Sequence, residues 1–308
     1  MADDQVTPEM IKKAEKEKWN SIYKVCCTGA REFKDRNCVF GGVGISFLTV
    51  AIAKMVHAPN MILVAEAGYV GFAGVAAMGS PADNPGGYMA MCHQGLFDMF
   101  RDQQGGFMDQ ACLGLAQIDK FGNVNVSYVN PLIRINGSGG GGDISSSAKS
   151  VIYVGEYNPR QFREKLDYTT NPGFLDGSPN ARQKAGLVGG GPSAFVTDRG
   201  VFRFDPETHE IYLADVFPWQ DEKDIDEIVK ATPWKLKVAK DLKIIDPPSE
   251  DEENAVALMD PLSFYRITQY VDRPSSKYTL MGRHDLIAFN YNAIMLEESI
   301  RYNSKIMI

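Results

Sequence analysis

The chain has 308 residues, 44% hydrophobic and 23% charged, which is ordinary for one large or two modest globular domains. A formal net charge of -7 without any lysine–arginine run argues against a nucleic-acid partner. No apolar stretch reaches the roughly 18 residues of a membrane span, and the acidic start Met1-Ala2-Asp3-Asp4-Gln5 carries no secretory h-region, so a cytoplasmic location away from membranes is expected.

Five cysteines, Cys26, Cys27, Cys38, Cys92 and Cys112, give an odd count with no Cys-x-x-Cys spacing. They are expected to be mostly buried small hydrophobes rather than a disulfide framework or a zinc site. His57, His93, His209 and His284 form no metal-binding spacing, so no metal is expected. Cys92 and His93 are neighbours, and adjacent side chains on a strand point to opposite faces, which argues against a working dyad.

Thr7-Pro8-Glu9 is a good helix start, with a capping hydroxyl, proline at the first helical position and acid in the first turn. Ile11, Ala14, Trp19, Ile22 and Val25 continue at helical spacing, and lysines cover much of the other side. This predicts an amphipathic surface helix in an N-terminal segment, residues 1–35. Cys38-Val39-Phe40 then reads as a short strand, Gly41-Gly42-Val43-Gly44-Ile45-Ser46 as a glycine turn, and residues 47–56 as a helix. Strand, turn and helix make the βα unit of a parallel sheet. The exposed N–H groups of that turn suit an anion, but a plain tight turn explains it equally well.

Residues 61–65, Met-Ile-Leu-Val-Ala, read as a buried strand that runs into Glu66. A carboxylate at the mouth of an apolar strand is costly to desolvate. The small neighbours Ala65, Ala67 and Gly68 leave room for something to approach it. Two readings stand at this point: a surface carboxylate facing water, or a group kept for chemistry.

Residues 71–87 are rich in glycine, alanine and proline and read as a loop. Residues 88–100 suggest strand then helix, 111–118 a further apolar run, 120–123 a turn and 124–129 an alternating strand. Asn136-Gly137-Ser138-Gly139-Gly140-Gly141-Gly142-Asp143 lies between strand candidates at 132–135 and 149–154, and leads through Asp143 into a capped helical turn at 144–148. So dense a glycine run is either a flexible linker or a loop whose N–H groups converge on a negative atom. Further on, 194–197 and 201–204 form a hairpin about Asp198-Arg199-Gly200, 210–217 a strand and 221–231 an acid-started helix. Pro247-Pro248-Ser249-Glu250-Asp251-Glu252-Glu253 marks a boundary or exposed loop. Beyond it Tyr265, Tyr270, Tyr278 and Tyr291 suggest a tail that docks on the body or on another subunit.

Three separated motifs resemble those of the family I CoA-transferases, in particular the B-type subunits of glutaconate CoA-transferase-like enzymes. They are Gly42-Val43-Gly44-Ile45-Ser46, where the family has Gly-x-Gly-x-Pro; Ala65-Glu66-Ala67-Gly68, where it has Glu-Ser-Gly or Ser-Glu-Asn-Gly; and Gly137-Ser138-Gly139-Gly140 with Asp143, where it has Gly-x-Gly-Gly-Ala-x-Asp. The runs at 116–123, 147–149, 167–169 and 196–202 are also similar. The resemblance implies an α/β fold, an open mainly parallel sheet flanked by helices, one half of a two-part unit. It assigns residues 36–245 to a B-type domain and leaves 246–308 as a C-terminal extension. It implies a nucleophilic Glu66, an oxyanion- and CoA-binding loop at Gly137, Gly139 and Gly140, and CoA contacts at Gly42 and Gly44. Coenzyme A is then a substrate rather than a resident cofactor, and the expected partner is an A-type subunit in a hetero-oligomer. Ala67 departs from the family's Ser or Asn. An acyl-CoA hydrolase, a decarboxylase on the same fold and a non-catalytic partner subunit are the alternatives.

Overall fold

The computed structural model describes residues 19–74, 87–129 and 133–260. The helix expected from Thr7, most of the loop at 71–87 and the tyrosine-bearing tail lie outside these residues. Among the described residues the strands are β1 (Cys38–Gly41), β2 (Ile62–Val64), β3 (Tyr69–Val70), β4 (Cys92–His93), β5 (Gln110–Leu113), β6 (Gln117–Ile118), β7 (Val124–Asn125), β8 (Tyr128–Val129), β9 (Ile133–Arg134), β10 (Ser150–Val154), β11 (Pro192–Thr197), β12 (Gly200–Phe204), β13 (Ile211–Val216) and β14 (Lys237–Ile244). The α-helices are α1 (Ser21–Ala30), α2 (Ile45–Ile52), α3 (Leu96–Asp102), α4 (Gly141–Ser147), α5 (Ala181–Lys184), α6 (Glu222–Ala231) and α7 (Glu250–Met259).

Ten strands make one sheet in the order β14-β13-β12-β11-β10-β5-β1-β2-β3-β4. Its centre, β11-β10-β5-β1-β2, is parallel throughout. Antiparallel pairs extend both sides, through β12 and β13 on one and β3 and β4 on the other. The central strands are continuous apolar runs because both of their faces are covered. On one face α1, α2 and α7 bury Val25, Leu48, Val50 and Val256 against Val39, Leu63 and Ile152. On the other, Met99 of α3, Ile144 of α4 and Ile228 of α6 join Phe40, Val64, Tyr153 and Phe195. The fold is thus the α/β arrangement expected, with helices on both faces of a mostly parallel sheet. The hairpin about Asp198-Arg199-Gly200 is β11–β12, and Asp221 caps α6 in a capping box.

Four local expectations are corrected. The chain does not run helically through Trp19, because Asn20 caps a helix that begins at Ser21 by accepting the Tyr23 N–H at 3.1 Å. Nor is α1 a surface helix: every residue from Val25 to Ala30 is buried. A Cβ at Gly29 would lie 2.8 Å from Thr49 Cγ2, so the glycine is what lets α1 sit tightly on α2. The strand expected at 124–129 is broken between β7 and β8. There Asn125 Oδ1 accepts the N–H groups of Ser127 and Tyr128 and turns the chain. Finally, α4 begins at Gly141 with Gly140 at its N-cap position and no side-chain cap. Asp143 sits within its first turn and accepts from Gln104 Nε2 at 2.9 Å.

The acidic run after Pro247-Pro248 is not a loop or a break. Ser249 and Glu252 form the capping box of α7, and Glu252 is fully buried. Its carboxylate accepts from Arg31 Nε at 2.8 Å and Nη2 at 2.6 Å, from the Ser249 N–H at 2.8 Å, and meets His57 Nε2 at 2.8 Å. Arg31 also donates to Asp246 O and Pro247 O. The divisions expected at 35/36 and 245/246 are therefore not breaks in the core, since α1 and α7 share one face of it. Burial disfavours the charged form of Glu252. The hydrogen bonds from Arg31 and Ser249 and the charge of Arg31 outweigh it and hold the carboxyl below its ordinary 4.5.

A carboxyl depressed by folding adds stability above its unfolded value and loses it as pH falls through its folded one. Arg31→Ala is expected to destabilise the chain by about 2–3 kcal/mol at neutral pH, because it strands a buried charge beside a partly exposed partner. Urea unfolding at about pH 7 and pH 3 checks this: the gap between wild type and variant narrows on the acid side.

Candidate active site

Glu66 follows β2, at the carboxyl end of the parallel strands. It sits in a four-residue connection, Ala65-Glu66-Ala67-Gly68, that turns β2 back into β3. The turn is closed by Gly68 N–H to Ala65 O at 2.9 Å and Ala65 N–H to Tyr69 O at 3.0 Å. Gly68 has φ +95°, and a Cβ there would fall 1.9 Å from Gln94 O, so only glycine fits. Small residues around the glutamate are thus a requirement of the hairpin as well as room for a ligand.

From β1 the chain passes over one face through α2 to β2. It later places β5 on the opposite side of β1, and from β5 it reaches β10 with α4 on the other face. Crevices at such reversals, outside the carboxyl ends of the strands, are where open parallel sheets bind ligands. Here a cleft of about 430 Å³ opens at that place. Phe40, Gly41, Gly42, Val43 and Ser46 come from the end of β1, residues 113–116 from the end of β5, and Glu66 from the hairpin. Residues 135–141 and Ile144 close another side, with Val126 and Asn171.

The glycine run is fixed, which removes the linker reading. Ile135 N–H donates to Ser127 O at 2.8 Å, Gly137 N–H to Val126 O at 3.1 Å, and Gly141 N–H to Ser138 O at 2.8 Å. Gly137, at φ +95°, therefore shapes the loop but has no free N–H to offer an oxyanion. Gly139 and Gly140 differ. Their N–H groups have no hydrogen-bond partner among the described residues, and their backbone lies against the glutamate. A Cβ on Gly140 would stand 3.0 Å from Glu66 Oε1 and 2.4 Å from Phe100 Cζ, and one on Gly139 3.9 Å from Glu66 Oε1. Gly42 lines the cleft, but its N–H is held by Cys112 O at 3.0 Å. Gly44, at φ +79°, caps α2 and is not among the lining residues.

Among the described residues Glu66 is the only ionisable side chain lining the cleft, and its carboxylate makes no hydrogen bond or ion pair. No described cysteine or histidine lines it. Burial pushes the Cys112 thiol well above its ordinary value, Cys26 to about 12 and Cys38 to about 11. Cys92 is exposed, and His93 meets the edge of Tyr69 at 5.0 Å. Phe100, Asn171 and the end of β5 were not singled out from the sequence. The signal for the last was present: a strand in a parallel sheet followed directly by the small Gly114.

The model for the coenzyme A transferase family matches residues 28–231, a span that contains β1, the Glu66 hairpin, the glycine loop and α6. The chain belongs to the coenzyme A transferase family. Within it, the chain is 31% identical over 237 residues to the B-type subunit of glutaconate CoA-transferase from Acidaminococcus fermentans, covering 71% of this chain and 85% of that one. It is 28% identical over 236 residues to the B-type subunit of 3-oxoadipate CoA-transferase from Pseudomonas knackmussii, covering 75% and 89%. The crystal structure of the Acidaminococcus fermentans glutaconate enzyme superposes with a TM-score of 0.71 at 26% identity, over 80% of this chain and 97% of that one. This is a B-like chain of the family, and no helix among its described residues is long and apolar enough to cross a membrane.

Two measurements test the site as built. Gly68→Ala is expected to lower stability by more than about 1 kcal/mol, read as a shifted thermal melt, since strain and a backbone collision add. In the native isolated chain a thiol reagent near neutral pH should label Cys92 rapidly and Cys26, Cys27 and Cys112 only on unfolding. Fast labelling of Cys26, Cys27 or Cys112, located by peptide mass spectrometry, contradicts the burial described.

Proposed function

We propose that this chain is the glutamate-bearing subunit of a CoA-transferase that works with an A-type partner, and that Glu66 is its nucleophile. The observation that carries this reading is a carboxylate with no partner among the described residues, set beside the glycine backbone at 139–140, in a cleft with no other ionisable group among them.

Glu66 attacks the carbonyl carbon of an acyl-CoA thioester, the C–S bond breaks, and CoA leaves as the thiolate. The thiolate attacks the glutamyl carbonyl of the resulting anhydride and releases the donor acid as its carboxylate. A glutamyl-CoA thioester remains, and an acceptor carboxylate takes the CoA by the reverse steps. Every nucleophile in this sequence is already an anion, so no general base is called for. Each addition passes through a tetrahedral oxyanion, and on this reading the N–H groups of Gly139 and Gly140, which have no partner among the described residues, serve as its donors. The free state of the Glu66 carboxylate suits attack, because a salt bridge would have to be broken first.

The A-type partner is supported by the relatives, whose names make them B-type subunits. Those names, glutaconate and 3-oxoadipate, are those of dicarboxylates. The cleft offers no cation among the described residues for a second carboxylate, so on this reading the partner supplies it.

The test is to co-express the chain with its partner, incubate the complex with a panel of acyl-CoA thioesters, and search residues around position 66 by peptide mass spectrometry. A CoA adduct, or a borohydride-reduced side chain, is expected at Glu66. Glu66→Gln should lower transfer by about 10³-fold or more, and the chain without its partner should be inactive. Release of CoA with neither adduct nor acceptor transfers the reading to hydrolysis with Glu66 as base. Full activity of Glu66→Gln would make the chain a non-catalytic subunit.

A further inference from the structure

Residues 88–97 carry β4, the outermost strand on its side of the sheet, and lead into the first turn of α3. The stretch is rich in large apolar side chains, and the fold leaves them in water. Met91 and Phe97 are each 78% exposed, Met89 66% and Leu96 56%, with Tyr88 and Cys92 exposed beside them. Single exposed apolar residues are ordinary, whereas a run of them marks a contact surface. Taking roughly 200 Å² for a fully exposed side chain of this size, Tyr88, Met89, Met91, Leu96 and Phe97 together show on the order of 600 Å². That is at the upper end for a chain that stays alone, and it approaches the roughly 800 Å² that each partner buries in a stable complex.

The surface runs up to the cleft. Phe97 and Phe100 lie one turn apart on the same side of α3. Phe100 shares the glycine loop with the carboxylate: a Cβ at Gly140 would stand 2.4 Å from Phe100 Cζ and 3.0 Å from Glu66 Oε1. At the other end, Met91 lies over β3, where a Cβ at Gly71 would meet its Sδ at 2.5 Å. Between them, Gln94 O touches Gly68 of the Glu66 hairpin. The stretch is therefore tied to the same turn and loop that hold the glutamate. Beside it Arg101 pairs with Asp98 at 2.7 Å and with Asp102 at 2.9 Å. Methionine and aromatic side chains at the centre, with charges at the margin, are the composition of a protein–protein contact.

We infer that residues 88–97 form the surface on which the A-type partner docks, bringing the partner to the Glu66 cleft over Phe97. This rests on the two-subunit reading. Area and position both favour that occupant. The exposed surface is of the size a stable complex needs, and it borders a cleft whose described wall carries no cation. A chain seated on Phe97 stands one helical turn from the side chain that lies with Glu66 against the glycine loop, close enough to complete the site.

Cys92 lies inside this surface, so its thiol reads the docking directly. The full chain, alone and co-purified with its A-type partner, is treated with a thiol reagent near neutral pH. Labelled peptides are followed by mass spectrometry, and the size of each species by light scattering. The chain alone should be monomeric and label quickly at Cys92, and assembly should slow that labelling roughly 10-fold or more. Phe97→Lys and Met91→Lys should weaken assembly about 30-fold or more without moving the thermal melt of the isolated chain. Ile244→Lys, at a comparably open position near the opposite edge of the sheet, should assemble as the wild type does. Cys92 that labels as fast in the complex as alone overturns the inference, and this comparison needs no variant. Slow labelling of the monomer also overturns it, since the chain then covers the surface itself. So does an isolated chain that self-associates with Cys92 shielded, since a second copy then fills the place. A wild-type chain that forms no complex with the A-type partner overturns the two-subunit reading and the inference together. A complex with Cys92 still open overturns the inference alone.

Discussion

A carboxylate that is to attack a carbonyl must be held in place without being paired. Pairing is how proteins ordinarily make a buried carboxylate tolerable, and this chain does so at Glu252, where Arg31, His57 and the Ser249 N–H surround the side chain. At Glu66 the same problem is met differently. The side chain has no partner among the described residues, and its direction is set by the hairpin that Gly68 closes and by the glycine backbone on which it rests. Main chain replaces side chain as the positioning device, and this accounts for the glycine and alanine around the glutamate better than any local preference does.

The glycines divide their work. Gly68 is needed for its conformation and for the nearness of Gln94, Gly42 for the nearness of Cys112, and Gly137 for the turn that hands its own N–H to Val126. Gly139 and Gly140, whose backbone lies near the carboxylate, have N–H groups with no partner among the described residues. A run of glycines in a sequence looks uniform. In the structure each position answers to a different neighbour.

That difference explains what could be read in advance. The central strands were legible because strands buried on both faces are written as unbroken apolar runs. The β11–β12 hairpin and α6 were legible because Asp198-Arg199-Gly200 and the Asp221 cap act on residues close by in the chain. Glu66 and the loop near Gly140 stood out as chemistry in unusual surroundings. Where the reading failed, the deciding contact was distant or lay in a side chain's second hydrogen bond. The burial of α1 is decided by Thr49 and Val154, the burial of Glu252 by Arg31, 221 residues away, and the break after β7 by Asn125 turning on its own backbone.

The pairing of α1 with α7 also bears on how the molecule comes into being. One of these helices precedes every described strand of the sheet and the other follows the last of them, yet they lie side by side over the same face. During synthesis that face stays open until residues 250–259 have left the ribosome. Contacts so far apart in sequence slow the search for the native state. Over that interval the nascent chain displays Val25, Leu48 and Val50 to the cell, a long exposure of apolar surface of the kind that chaperones bind.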